Sequence, residues 1–169
     1  MRIFLGITGA SGAPYAARVL AGLVAAGCEV GLCASQAATE VIAWELYKDR
    51  ELPGEEALAR LVAEHGGSST TVYGERDWFS PYASGSARVD AYVICPCSMA
   101  TAGTIATSGQ ANLIHRAAGV ALKEGRRLVL VPRESPLSSI HLQALLTLRQ
   151  AGALIAPAHR KSGLAAAPA

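Results

Sequence analysis

A strand that runs straight into glycines constrains this chain more than any other feature. Ile3 to Ile7 is an apolar run of the length of a buried parallel strand, and it stops in Thr8-Gly9-Ala10-Ser11-Gly12 with Pro14 close behind. Ser11 suits the N-cap of a following helix. Pro14 suits its first turn, where a missing N–H costs nothing. The segment reads as strand, tight turn, helix. Backbone N–H groups left free at such a turn lie at the positive end of a helix dipole, a site for an anion and most often a phosphate. The alternative is a plain strand–helix turn whose glycines only make room.

The rest of the chain repeats the alternation. Strand-like runs at Glu29 to Ala34, Thr70 to Tyr73, Val89 to Cys95, Arg127 to Val131 and Ala153 to Ala156 are separated by helical patterns at about 13–26, 36–48, 55–65, 112–123 and 137–150. That order predicts an α/β fold, a parallel sheet with helices on both faces. The chain has 169 residues, 51% apolar and 17% charged, enough for one three-layer domain, set here at 1–157. Residues 158–169 lack any amphipathic pattern and read as a disordered tail. A net charge of +2 argues for neither nucleic acid nor membrane as a partner. No run reaches transmembrane length, and Gly6, Thr8 and Gly9 interrupt the first run too early for a signal peptide. Cys28, Cys33, Cys95 and Cys97 form no Cys-x-x-Cys pair, so they read as reduced, buried thiols of a cytoplasmic protein and not as a metal site.

Ligands in such a sheet bind beyond the carboxyl ends of the strands, near the point where strand order reverses. The first of these ends, Gly9-Ala10-Ser11-Gly12, is neither Gly-x-Gly-x-x-Gly nor a P-loop. Ser35 follows the second strand, where a dinucleotide-binding protein carries Asp or Glu for a ribose diol. A hydroxyl there suits a phosphate and favours a mononucleotide over NAD, or it simply caps the next helix. Pro96 to Thr104 is rich in small hydroxyl residues and suits a close backbone approach to something flat or anionic. Cys97 reads as a packed thiol, since no base is placed for it. Arg133 and Glu134 end the strand at 127–131. The loop 74–88 carries Trp78, Phe79 and Tyr82, as an interface or lid over a flat ligand or as a satellite hydrophobic cluster. Arg116 and Lys123 lie seven apart on one helix face. Ser138 or Ser139 can cap the helix at 137–150, and His141 near its start reads as structural.

Several blocks together resemble the UbiX-type flavin prenyltransferases. They are Gly9 to Tyr15, Asp77-Trp78, Ala83 to Ser86, Cys95 to Ser98, Arg116 to Ala118 with Val120 to Glu124, and Val131 to Glu134 with Pro136 and Ser138 to Leu142. They are in order and correctly spaced from residue 3 to about 157. The resemblance implies a Rossmann-like, doubly wound FMN-binding fold and a homo-oligomer, typically a dodecamer, with sites at subunit interfaces. It also implies a reaction. A dimethylallyl group passes from dimethylallyl phosphate to N5 and C6 of reduced FMN, and the prenylated flavin goes to a UbiD-type partner decarboxylase.

Carried over position by position, Gly9, Ala10, Ser11, Ser35, Ser98, Met99, Ala100, Thr101 and Arg133 would hold FMN. Lys123, Arg133 and Glu134 match residues around the prenyl phosphate, where cations meet the leaving dianion and Glu134 donates a proton. Trp78 would offer a π face to the allylic cation. Glu45 and Arg116 match charged positions near the site, Ser11 would relay a proton near flavin N5, and no metal is required. The chain departs from the family after Pro157, where the usual Tyr-containing segment and final helix have no counterpart, and Ala100 stands where Gly is common. FMN binding is expected to survive, dimethylallyl phosphate to bind weakly, and transfer to be slow or absent. An FMN protein without prenyl transfer is the second reading. A flavin-dependent cysteine decarboxylase is the third reading and ranks below these, because such enzymes use a His on an early helix and here the first His is His65.

Overall fold

The computed structural model describes residues 1–158. The tail expected to be disordered, 158–169, lies outside these residues apart from Ala158. The elements are β1 (Arg2–Ile7), α1 (Ala13–Ala25), β2 (Glu29–Ala34), α2 (Gln36–Tyr47), α3 (Gly54–His65), β3 (Thr70–Val72), β4 (Ala91–Cys97), α4 (Met99–Ala106), α5 (Leu113–Lys123), β5 (Arg127–Pro132), α6 (Ser139–Gln150) and β6 (Leu154–Ile155). The six strands make one sheet in the order β3-β2-β1-β4-β5-β6, with every neighbouring pair parallel. This is a Rossmann-like doubly wound sheet, and its order reverses between β1 and β4.

The pleat of β1 shows why both faces must be covered. Ile3, Leu5 and Ile7 join a core with Leu20, Val30, Leu32, Ile42 and Leu61. Phe4 points the other way, into a core with Tyr92, Ile94, Leu113, Ile114, Leu128 and Leu148. Successive side chains of a strand alternate faces, so a run that is apolar throughout needs a helical layer on each side.

Two differences from the expected elements stand out. The pattern above predicts no helix between 96 and 111, yet α4 occupies Met99–Ala106. β4 also starts at Ala91 and runs on through Pro96 to Cys97. Ser98 explains both: it ends the strand and caps the helix, its Oγ accepting from Thr101 N at 3.2 Å. The caps expected at Ser35 and Ser138 are present, and His141 Nδ1 accepts from Ser138 N at 3.4 Å, a structural contact.

The aromatic loop divides between the two readings given for it. Phe79 is fully exposed and Trp78 is 45% exposed, while Tyr82 is buried in the sheet's second core. Its ring lies 5.1 Å from that of Phe4 and 5.4 Å from that of Tyr73. The ring occupies the space that a Cβ at Gly31 would need. The loop is therefore a satellite cluster at one end and an exposed aromatic surface at the other.

Candidate active site

The reversal of strand order opens a crevice between the ends of β1 and β4, and one buried threonine sets its floor. Thr8, 2% exposed, donates from Oγ1 to Pro96 O at 2.8 Å and accepts from Ser98 N at 2.7 Å. Its own N–H donates to Pro96 O at 3.2 Å. A buried hydroxyl with both functions satisfied is a rigid staple, because leaving either partner unpaired costs about 1–3 kcal/mol. The Gly9-to-Gly12 turn and the Ser98 cap are thus fixed relative to each other.

The turn itself differs from the expected cap. Gly12, not Ser11, is the N-cap of α1, with φ 132, in the region that glycine tolerates and side chains do not. Ser11 instead donates its hydroxyl to Glu45 of α2. The other Glu45 oxygen accepts from Gly12 N and Ala13 N, both at 2.8 Å. The free anion site predicted at the start of α1 is therefore filled by the chain's own carboxylate. Burial pushes the Glu45 pKa upward. The Ser11 hydroxyl, the two backbone N–H groups and the nearby Arg133 outweigh it and hold the carboxyl below its ordinary value.

Ser11, Tyr15, Arg18, Glu45, Lys48 and Arg133 border a cavity of about 540 Å³. Gly12 keeps its neighbours close: a Cβ there would stand 3.3 Å from Arg133 Cδ and 3.4 Å from Pro96 Cβ. Gly9 does the same on the other side, where a Cβ would meet Ala37 Cβ at 2.7 Å. The glycine turn is thereby pressed between the start of α2 and the end of β4. Ser35 Oγ accepts from Ala38 N at 3.1 Å, and Ser98 Oγ donates to Thr101 Oγ1 at 3.0 Å. Met99 and Thr101 are buried in the first turn of α4, and Ala100 is exposed there. Gly9, Ala10, Ser11, Ser35, Ser98 to Thr101 and Arg133 all sit at the carboxyl edge of the sheet.

The remaining candidates are spread out. Trp78 stands on the loop after β3 and Glu134 just after β5, both exposed at the carboxyl side. Arg116 is half-buried, donating from Nε to Ala83 O at 2.8 Å and from Nη1 to Gln110 Oε1 at 2.9 Å, so it pins the aromatic loop to α5. Lys123 ends α5 just before β5 begins, and it pairs with Glu124. That places it at the amino edge of the sheet, away from the crevice of its own chain. Cys97 is no nucleophile: burial pushes its thiol up to about 12. All four cysteines are free and buried. Among the described residues no group of three His, Cys, Asp or Glu is placed to hold a metal ion. No helix among them is long and apolar enough to cross a membrane.

Thr8, Arg18, Lys48 and Glu75 are not among the residues singled out from the sequence. A polar residue at the very end of an apolar strand was the available signal for Thr8. Arg18 and Lys48 read as ordinary surface charges until α1 and α2 are packed side by side. Glu75 lies in a loop and shows its partners only in three dimensions: Gln36 N, Asn112 Nδ2 and, on its carbonyl, Leu113 N.

The chain matches the Flavoprotein family over residues 1–168. It is 49% identical over 161 residues to the flavin prenyltransferase UbiX of Pseudomonas aeruginosa, covering 93% of this chain and 76% of that protein. A crystal structure of a UbiX in complex with FMN and dimethylallyl pyrophosphate superposes with a TM-score of 0.80 at 38% identity, covering 92% of this chain and 77% of the other. A dodecameric FMN-dependent UbiX-like decarboxylase from Escherichia coli O157:H7 gives a TM-score of 0.80 at 37% identity, over 93% of this chain and 80% of that one.

Proposed function

The chain belongs to the Flavoprotein family and groups with its UbiX flavin prenyltransferases, and from that premise we propose that its crevice binds FMN and transfers a dimethylallyl group to it from dimethylallyl phosphate. The observation that carries this reading is the Ser11–Glu45 pair. It fixes a hydroxyl and a carboxylate at the switch point, on the cavity that Arg133 also borders.

The residues present fit FMN. Gly9 and Gly12 let Ala37, Tyr15, Arg133 and Pro96 pack closely on the turn and so fix its backbone at the crevice. Ser35, Ser98, Thr101 and Arg133 offer hydroxyl and guanidinium donors at the same edge, suited to the ribityl chain and phosphate. When bound and reduced, FMN supplies the nucleophilic N5 and C6 ring atoms. Ser11, bonded to Glu45, is poised to pass a proton from the flavin edge to a carboxylate whose lowered pKa keeps it ionised at neutral pH. Arg133 and Lys123 meet the charge of the departing phosphate, and Glu134 donates a proton to it. Trp78 offers its π face to positive charge developing on the allylic group. Arg116 holds the loop that carries Trp78.

Because Lys123 lies at the amino edge of its own sheet, it reaches a crevice only from a neighbouring copy. This supports a homo-oligomer, with the dodecameric relative as its pattern. The product is handed to a UbiD-type decarboxylase, and four free, buried thiols suit a cytoplasmic protein.

The test is direct. The protein is incubated without oxygen with reduced FMN and dimethylallyl phosphate, and the extracted flavin is weighed by mass spectrometry. A flavin heavier by one dimethylallyl unit is expected. Recovery of FMN alone from folded, flavin-bound protein would reduce the assignment to an FMN-binding protein without prenyl transfer.

A further inference from the structure

Gly85 is not a glycine for the sake of its backbone. Its φ lies outside the left-handed region, so any residue could adopt the conformation. What the position lacks is space. A Cβ at Gly85 would collide with Glu124 Oε1 and stand 2.9 Å from Lys123 Nζ. The Lys123–Glu124 ion pair at the end of α5 therefore lies directly on this turn. The turn is itself pinned. Arg126, half-buried just before β5, donates from Nη2 to Gly85 O at 2.6 Å and from Nη1 to the hydroxyl of the buried Tyr92 at 3.2 Å. Arg116 holds the same turn two residues earlier, at Ala83 O. Two guanidinium groups thus fix two carbonyls of Ala83 to Ser86. The hydrogen bond from Lys123, and then the nearby charge of Arg126, hold the Glu124 carboxyl below its ordinary value, so it is ionised beside the ammonium at neutral pH.

Lys123 is the cation that reaches a neighbouring copy's crevice in the function proposed above, and the role of the turn rests on that reading. In prenyl transfer the allylic C–O bond breaks with its electron pair on the phosphate oxygen, and a cation standing at that oxygen stabilises the departing charge. A lysine ammonium on its flexible stem samples many positions unless something seats it. An exposed ion pair between adjacent residues fixes little by itself. We propose that Gly85 and Arg126 are positioning residues for this reaction: Arg126 locks the turn, and the bare face of Gly85 sets where the Lys123 ammonium stands. Glu124 completes the seat from the side of α5. Neither Gly85 nor Arg126 needs to touch the substrate. Gly85 also suits a test. A methyl there meets the ends of two flexible side chains, not backbone, so the fold yields cheaply while the ammonium is pushed aside.

The experiment follows single-turnover formation of prenylated flavin by mass, with reduced FMN and dimethylallyl phosphate. It compares the unaltered protein, Lys123→Ala, Gly85→Ala, Arg126→Lys and the double variant that joins Gly85→Ala to Lys123→Ala. Flavin fluorescence gives FMN affinity, and light scattering gives the assembly. Lys123→Ala is expected to slow transfer about a hundredfold. Gly85→Ala should slow it about tenfold, within the range for a group misplaced by about 1 Å, with FMN affinity and assembly unchanged. Arg126→Lys keeps the charge but loses the fork that spans Gly85 O and the Tyr92 hydroxyl, and its rate should fall between those of Gly85→Ala and the unaltered protein. In the double variant the glycine change should add no further loss, since no ammonium is left to misplace. Losses that multiply in the double variant, an unchanged rate in Gly85→Ala, or FMN affinity that falls in step with the rate would mean a purely structural turn and overturn the proposal. An unchanged rate in Lys123→Ala overturns it too, because the seat then holds nothing that the reaction uses. If the unaltered protein, folded and holding FMN, makes no prenylated flavin, the proposed reaction itself fails and takes the role of the turn with it.

Discussion

Two carboxylates from distant parts of the chain sit on two helix N-termini at the same edge of the sheet, and they are held very differently. Glu45 caps α1 through two backbone N–H groups at 2.8 Å, takes the Ser11 hydroxyl as a third donor and faces Arg133. Glu75 reaches α2 through one backbone N–H and α5 through one amide, with no cation in ion-pair range among the described residues. Three donors and a guanidinium make a carboxylate part of the framework. Two neutral donors make one that only bridges two helix starts. The contrast separates a carboxylate set beside a hydroxyl and a guanidinium from one that ties two helices together.

The largest expected effect is on transfer. Glu45→Gln should keep FMN but slow prenyl transfer by about a hundredfold, because the amide cannot receive the proton that Ser11 relays. Glu134→Gln should cost a similar factor of about a hundred, through loss of the proton donated to the phosphate. Single-turnover formation of prenylated flavin, followed by mass, measures both. An unchanged rate in either variant removes that carboxyl from the mechanism, and an unchanged rate in Glu45→Gln erases its distinction from Glu75.

A smaller effect is expected on binding. Arg133→Ala should weaken FMN by about tenfold, the usual scale for one charge-assisted hydrogen bond. Titration by flavin fluorescence reads it. The same change should raise the Glu45 pKa, since Arg133 is one of the groups that lower it. If FMN binds equally well without Arg133, the phosphate end and the cationic cavity are separate places.

The smallest effect is on acid stability. A carboxyl lowered in the native state contributes stability that is present above the unfolded pKa, about 4.3 for Glu, and is lost as pH falls through the native value. The melting temperature should therefore fall below about pH 4.3 with a share due to Glu45 that Glu45→Gln abolishes. Glu75→Gln should leave that share in place. Matching acid profiles for the two variants would mean that the two carboxylates are held alike after all.

The fold was largely legible in the sequence because β1, β2 and β5 are short, apolar runs each followed by a helical stripe, and because parallel strands need helices on both faces. α4 was not, since Ser98 to Thr104 mixes threonines, alanines and a glycine in a stretch of low helical signal. It becomes a helix through its cap and through burial of Met99, Thr101, Ala102 and Ile105. The site was legible where chemistry sits at strand ends, as at Ser35, Ser98 and Arg133. Partnerships across the fold were not: Ser11 and Glu45 are 34 residues apart, Thr8 and Pro96 are 88 apart, and no local pattern joins either pair. Even the cap of α1 was misplaced by one residue, because Ser11 has a better partner in α2 than in its own helix.

The ring of Tyr82 filling the place of a side chain at Gly31 has a consequence for descent. The two positions cannot drift separately, since any side chain at 31 must expel a ring that packs tilted against Phe4 and edge-on to Tyr73. A lineage that acquires alanine at 31 must already have lost bulk at 82, and one that restores the ring must first return to glycine. The order of permitted changes is thus written into the packing. These two sites, 51 residues apart and on different elements, are bound by that packing to change together.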